Sequence, residues 1–191
     1  MRLRVLTAVL AARIYELRPI ALYSCITAVI VGSLGPQATA APVFFCSLVG
    51  IVMALAQSPG RYPHLDRCEQ SAPLFGRELA RAKALVPCVA ATFAVIAYIL
   101  AAMATGSPNV SLTLAISLPA VIATTLIALS ATICRGAPQA LYLLLACTAS
   151  VTAYALAVVA RSLLAELAFC AIVAFMGLRQ YGEALARYDP V

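Results

Sequence analysis

Charge is scarce in this sequence. Only 10% of its 191 residues are Asp, Glu, Lys or Arg, just seven of them are acidic, and histidine occurs once. A soluble domain carries about 25% charged and about 45–50% apolar residues. Here the apolar share is 64% and the mean hydropathy is +1.00. The shortage excludes a water-facing fold, and no stretch outside the apolar runs is long enough to fold alone. Other absences narrow the function. The chain has no GxxxxGK[ST] string and no Gly-rich phosphate cradle, so it binds no nucleotide by those means. No acidic or histidine cluster gathers at one membrane face, which argues against a membrane enzyme. The net charge of +6 is not accompanied by a basic face with interleaved aromatics, so no nucleic-acid partner is expected. There is no internal repeat and no low-complexity tract.

What is present is a series of apolar runs of the length that a helix needs to cross about 30 Å of hydrocarbon. The fold expected is all-α: one polytopic transmembrane domain over residues 1–191, with six spans near 20–34, 42–57, 84–105, 110–133, 138–160 and 162–178. Turn residues mark the breaks at Gly35-Pro36, Gly106-Ser107-Pro108-Asn109 and Gly136-Ala137-Pro138. The first two spans are short, which requires flanking residues or a thinned bilayer. Only Arg161 and Ser162 interrupt the apolarity between the last two.

Before the first span, Leu3, Leu6, Leu10, Ile14 and Leu17 recur at spacings of three and four, while Arg2, Arg4, Arg13, Glu16 and Arg18 mostly fall off that stripe. Residues 1–18 therefore read as an amphipathic helix in the membrane interface, separated from the first span by Pro19. A secretory signal fits less well. Arg13, Glu16 and Arg18 interrupt its apolar core, and no soluble domain follows.

Orientation follows from the basic residues. With the N-terminus inside, all 13 Lys and Arg residues except Arg161 fall in inside segments, as the positive-inside rule requires. The expectation is a multi-pass protein of the cell (inner) membrane with both termini cytoplasmic. The basic side chains next to the spans also suit anionic headgroups. Seven cysteines are scattered one per segment without a CxxC pair. Those inside spans act as small hydrophobes, and Cys68 and Cys134 face the reducing side, so no disulfide is expected.

One polar stretch remains, residues 57–84, between the second and third spans on the inside. Pro59, Gly60 and Pro63 keep its start irregular. A short helix is expected from Leu65, interrupted near Pro73, with a second from Leu74 that runs on into the third span. In the second, Leu74, Phe75, Leu79 and Ala82 share a face, and Arg77, Glu78, Arg81 and Lys83 point elsewhere. Tyr62, His64 and Phe75 suit the membrane interface. His64, Asp66 and Cys68 lie close together, but their spacing is not that of a metal-ligand set or a nucleophile with its base, and neither metal nor catalysis is expected.

The pattern Glu69-x-x-x-Pro73-Leu74-Phe75-Gly76-Arg77-Glu78-Leu79-x-Arg81-x-Lys83 resembles the segment before the third helix in ABC-2 type transporter permeases. The resemblance covers these residues in detail, and the whole chain in layout. It implies a coupling helix between spans two and three, docked on a cytosolic ATP-binding cassette ATPase through Glu69, Pro73, Leu74, Phe75, Gly76, Arg77, Glu78, Arg81 and Lys83. It further implies ATP bound by that partner, a homodimer or heterodimer of membrane subunits, and export. The chain is shorter than most members. The family's re-entrant element would fall near residues 152–166, where the link between spans is very short.

Ser117, Thr124 and Glu166 are candidates for a transport path, since polar groups within a span line paths or support packing. For the fourth span's hydroxyls, helix packing around Pro119 is the stronger expectation. For Glu166, near the outer end, it is solvation by headgroups. The alternative to a transporter is an accessory or scaffold subunit of a larger membrane complex, or a small integral membrane enzyme.

Overall fold

The computed structural model describes residues 2–34, 40–58, 76–106, 110–134 and 137–187; within these, the side chains of residues 2–6, 40, 41, 76–78, 186 and 187 are not described. The described residues form six helices: α1 (Arg2–Ser33), α2 (Ala40–Leu55), α3 (Gly76–Ala104), α4 (Val110–Ile133), α5 (Ala137–Tyr154) and α6 (Leu163–Arg187). The last turn of α5 widens into a π-helical segment, Ala155–Val159. Five stretches are long and apolar enough to cross a membrane: Thr7–Ser33, Leu79–Ala104, Val110–Ile133, Ala137–Val159 and Leu163–Leu185. The sixth apolar helix, Pro42–Leu55, is shorter.

The helices alternate in direction. At one end Leu17, Ala56 and Val86 pack together, and Ala80, Leu129, Ala146 and Tyr181 form a neighbouring cluster. Towards the other end Val43, Ile116, Ala153, Ala157 and Cys170 meet, and Gly32 lies against Tyr98, Ala101 and Ala102. Thus α1, α3 and α5 run one way and α2, α4 and α6 the other. The start of α1 and the end of α6 share an end of the bundle with Arg13, Arg18, Arg81, Lys83 and Arg179, while Arg161 stands at the opposite end.

Helix α4 is the axis. It contacts α2, α3, α5 and α6 and is buried on nearly every turn from Thr113 to Thr132. The core is built largely of alanine: Ala28, Ala91, Ala94, Ala120, Ala123, Ala128, Ala146 and Ala153 are all buried. Small residues let backbones approach closely, which is how helices associate where lipid removes the hydrophobic drive. Gly177 sits directly against the backbone of Leu126 and Ile127. A buried hydrogen bond of 2.9 Å from Ser150 Oγ to Ser47 Oγ links α5 to α2. The outer faces carry Leu22, Ile26, Ile30, Phe93, Leu100, Leu144, Leu164 and Phe175, all exposed. A soluble monomer rarely exposes so many large apolar side chains. The architecture is that of a multi-pass membrane protein.

Three features depart from the sequence expectation. First, the break at Pro19 is absent, and α1 is one helix through it. Proline's fixed φ suits a helix, and its ring displaces only the bond to the Tyr15 carbonyl. Tyr15 and Pro19 both lie on the exposed face beside Arg18, where that carbonyl can be solvated. At 1.5 Å per residue the 32-residue helix is about 48 Å long, so it exceeds the hydrocarbon thickness and its first turns project beyond it. The first span is therefore not short. The second is, at 16 residues or about 24 Å.

Second, the sixth helix runs past residue 178 to Arg187. Its polar residues are accommodated at the surface, where Arg179 Nε donates to Glu183 Oε1 at 2.9 Å. Third, no re-entrant element separates α5 from α6. The link is Ala160–Arg161–Ser162, with Arg161 at φ +52° and Ser162 N–H donating to the Leu156 carbonyl at 3.1 Å. The other boundaries follow expectation closely. Gly106 adopts φ +71° at the turn after α3, a conformation that glycine takes without a Cβ penalty.

Candidate functional site

Two regions hold polar groups that packing alone does not require. One is the end of the bundle where the basic residues collect. Helix α3 begins at Gly76 and passes without interruption into the span, so Gly76, Arg77 and Glu78 occupy its first turn. Glu69, Pro73, Leu74 and Phe75 lie outside the described residues, as do Tyr62, His64, Asp66 and Cys68. Of the two cations that follow, Arg81 is exposed. Lys83 is only 8% exposed and faces the bundle. It lies one turn before Val86, which packs with Leu17 and Ala56. Arg13 on α1, 2% exposed, and Gln57 after α2, 5% exposed, adjoin that same cluster. Neither the amide nitrogen nor the oxygen of Gln57 has a partner.

The burial of Arg13 was hidden by the expected break at Pro19. With α1 continuous, Arg13, Leu17, Ala21, Ala28 and Gly32 fall on one face at helical spacing, and it is this stripe that meets α3. A search for small residues continued backward through the proline is the signal that would have found it.

The second region lies within the bundle, towards the Arg161 end. Glu166 stands in the first turn of α6 and is 0% exposed. Headgroup solvation, the stronger expectation from sequence, does not describe it. The side chain projects inward from the peripheral α6, on the same face as Cys170, which packs with Ile116 and Ala120 of α4 and Ala153 and Ala157 of α5. Its Oε1 accepts from the Cys170 thiol at 3.5 Å, and Oε2 has no partner. Among the described residues no ion pair joins Glu166 to Arg161, which is exposed in the turn. Because α6 runs parallel to α4 with Gly177 beside Leu126 and Ile127, Glu166 lies near the level of Thr113–Ser117. Ser117, 0% exposed, also has a hydroxyl without a partner.

Thr124 belongs elsewhere. Its hydroxyl bonds back to the Ala120 and Val121 carbonyls at 2.9 and 3.0 Å, and it faces Gly50 of α2. Thr125 does the same to Val121 at 2.6 Å. These hydroxyls serve packing, and Ser117 stands two turns before Thr124 on the same face of α4.

No family model, curated protein or solved structure matches the chain. The functional reading therefore rests on its own residues. Among the described residues no group of three or more His, Cys, Asp or Glu side chains could hold a metal ion. What the arrangement offers is a basic helix end that continues into a span, and an enclosed carboxylate towards the other end of the bundle.

Proposed function

We propose that this chain is the membrane-spanning permease subunit of an ATP-driven exporter of the ABC-2 type. In this reading the end rich in Arg and Lys is cytoplasmic, in keeping with the positive-inside rule, and Arg161 is outside. The chain works as a homodimer or beside a related membrane subunit, and a separate cytosolic ATPase docks on residues 65–83. Leu74 and Phe75 are the docking knobs; Arg77, Glu78 and Arg81 are the charged contacts. Lys83, being buried, acts within the bundle.

The observation that carries the reading is the continuity of α3 from Gly76 to Ala104. A displacement at its first turn is passed to a helix that packs against α1, α2 and α4 and carries Pro87 within the span. Closure of the ATPases on their nucleotide would then favour one arrangement of the spans over another, which is the differential interaction that a two-state transporter needs.

The test is charge reversal at the lever. Arg77→Glu combined with Arg81→Glu is expected to abolish co-purification of an ATPase from mild detergent while leaving the protein in the membrane. Unchanged recovery of the ATPase overturns the proposal.

A further inference from the structure

Among the described residues, three departures from ordinary structure fall in one short stretch, from Ala155 to Glu166. The only π-helical segment, Ala155–Val159, ends α5. Arg161 is the only residue other than glycine with a positive φ, +52°. Glu166 is the only fully enclosed carboxylate; the Cys170 thiol is a weak donor to one oxygen, and the other oxygen has no partner. Each has a cost. A buried carboxylate requires a cation or several donors, and a left-handed residue with a side chain crowds its own carbonyl. Conflicts of this kind gather at functional sites, and π segments do as well.

Ser162 ties the three together. Its N–H donates to the Leu156 carbonyl at 3.1 Å, its carbonyl accepts from the Glu166 N–H at 3.1 Å, and its Oγ accepts from the Ala165 N–H at 3.2 Å. It is thus fastened to the end of α5 on one side and caps α6 on the other. The Leu156 carbonyl is contested. In an α-helix it would accept from the Ala160 N–H, four residues on; here that N–H reaches back five residues to the Ala155 carbonyl, at 3.0 Å. Rewinding Ala155–Val159 as α-helix therefore hands the Leu156 carbonyl to Ala160 and releases Ser162.

We infer that residues 155–166 form a latch with two windings. In the π-wound state, which the structure holds, Ser162 is bonded to Leu156 and Glu166 is enclosed. In the α-wound state Ser162 is released, Arg161 leaves the left-handed region, and Glu166 turns toward water at the Arg161 end of the bundle. A one-residue change of winding rotates the chain that follows by about 100°. The bonds of Ser162 hold the latch shut, while the strain at Arg161 and the hydration of a carboxylate favour its opening. Its use as the outer gate of the permease rests on the transporter reading above; the latch itself does not.

The test is the rate at which a water-soluble carbodiimide couples glycine ethyl ester to Glu166 in the purified full chain at one pH, read by peptide mass spectrometry. Only the open winding presents the carboxyl to water, so the rate reports its population. Ser162→Ala removes the cap and is expected to speed labelling about fivefold. Arg161→Gly and Arg161→Val lack the guanidinium alike, but only glycine takes the left-handed backbone without a Cβ penalty. The valine chain is expected to label about tenfold faster than the glycine chain. Gly177→Ala disturbs α6 against Leu126 and Ile127, away from the latch, and is expected to leave the rate unchanged. Equal rates in the two Arg161 chains, or a Ser162→Ala chain that labels like the wild type, overturn the inference. So does an equal acceleration by Gly177→Ala, which marks a carboxyl reached by unfolding. A measurement that needs no variant accompanies it: the Ser162, Ala165 and Glu166 amides are expected to exchange hydrogen together and faster than those around Gly177, and exchange as slow as at Gly177 also overturns the inference. Failure of these orders in a chain that still recovers its ATPase rejects the latch alone; their success in a chain that recovers none rejects the transporter reading alone.

Discussion

Replacing Gly177 by alanine tests the packing of α6 on α4 at a single atom. A Cβ at that position would stand 2.9 Å from the backbone nitrogen of Ile127, 2.9 Å from the carbonyl carbon of Leu126 and 3.1 Å from its oxygen. Ordinary carbon contacts sit at about 3.5–4.0 Å. Backbone cannot swing aside as a side chain can, so α6 must retreat by about 0.5–1 Å, which forfeits a quarter to a half of each contact it had made. Overpacking of this kind costs about 1–3 kcal/mol. The Ser130 hydroxyl bond to the Gly177 carbonyl, already 3.5 Å long, would stretch further. Against this stands the intrinsic preference of alanine for a helix, about 1 kcal/mol, leaving a net loss of up to about 2 kcal/mol. Gly182, in the same helix, provides the comparison. Its added Cβ would meet only the Ala80 Cβ at 3.8 Å, so Gly182→Ala keeps the helix preference without the clash and is expected to stabilise slightly. The chain has no tryptophan, but Cys46 and Cys170 are buried, so a dye that fluoresces on reacting with thiols reports thermal unfolding. At about 2–4 °C per kcal/mol for a chain of this size, Gly177→Ala is expected to lower Tm by up to about 8 °C, while Gly182→Ala leaves it unchanged or raises it. Shifts of equal size and the same direction would refute the assigned helix contact.

The Ser150–Ser47 bond should appear in a double-mutant cycle of Ser47→Ala and Ser150→Ala as a coupling of about 0.6 kcal/mol, the average for hydrogen bonds between membrane helices; strictly additive effects would show that it contributes nothing. Arg161 holds a left-handed backbone, which costs a side-chain-bearing residue about 1 kcal/mol. Arg161→Gly should therefore match or exceed the wild-type Tm and Arg161→Val should fall below it, and equal Tm values for the two would discount strain at this turn. With the native cysteines replaced, Arg161→Cys in intact cells should react with a membrane-impermeant maleimide and Arg81→Cys should not. The reverse pattern inverts the orientation.

The apolar helices among the described residues and most of their ends were legible because they depend on local composition. An apolar run of about 20 residues is a span wherever its neighbours lie, and Gly106, Arg161 and Ser162 end helices for reasons contained in a few residues. The gathering of Lys and Arg at one end of the bundle was likewise legible, since it depends on the segments between spans rather than on packing. What sequence could not show was the rotation of each helix. In lipid a helix is apolar on every side, so no periodic contrast marks the buried face, and only close approach between particular backbones decides it. This is why Arg13 and Lys83 looked outward and are buried, why Pro19 read as a break although its freed carbonyl lies on an exposed face, and why Glu166 was assigned to headgroups. Composition determined that the chain carries helices apolar enough to cross a membrane. The placement of α4 at the centre, with α6 turned so that a carboxylate faces it, was decided by the fit of glycine and alanine surfaces that exists only once the helices are assembled.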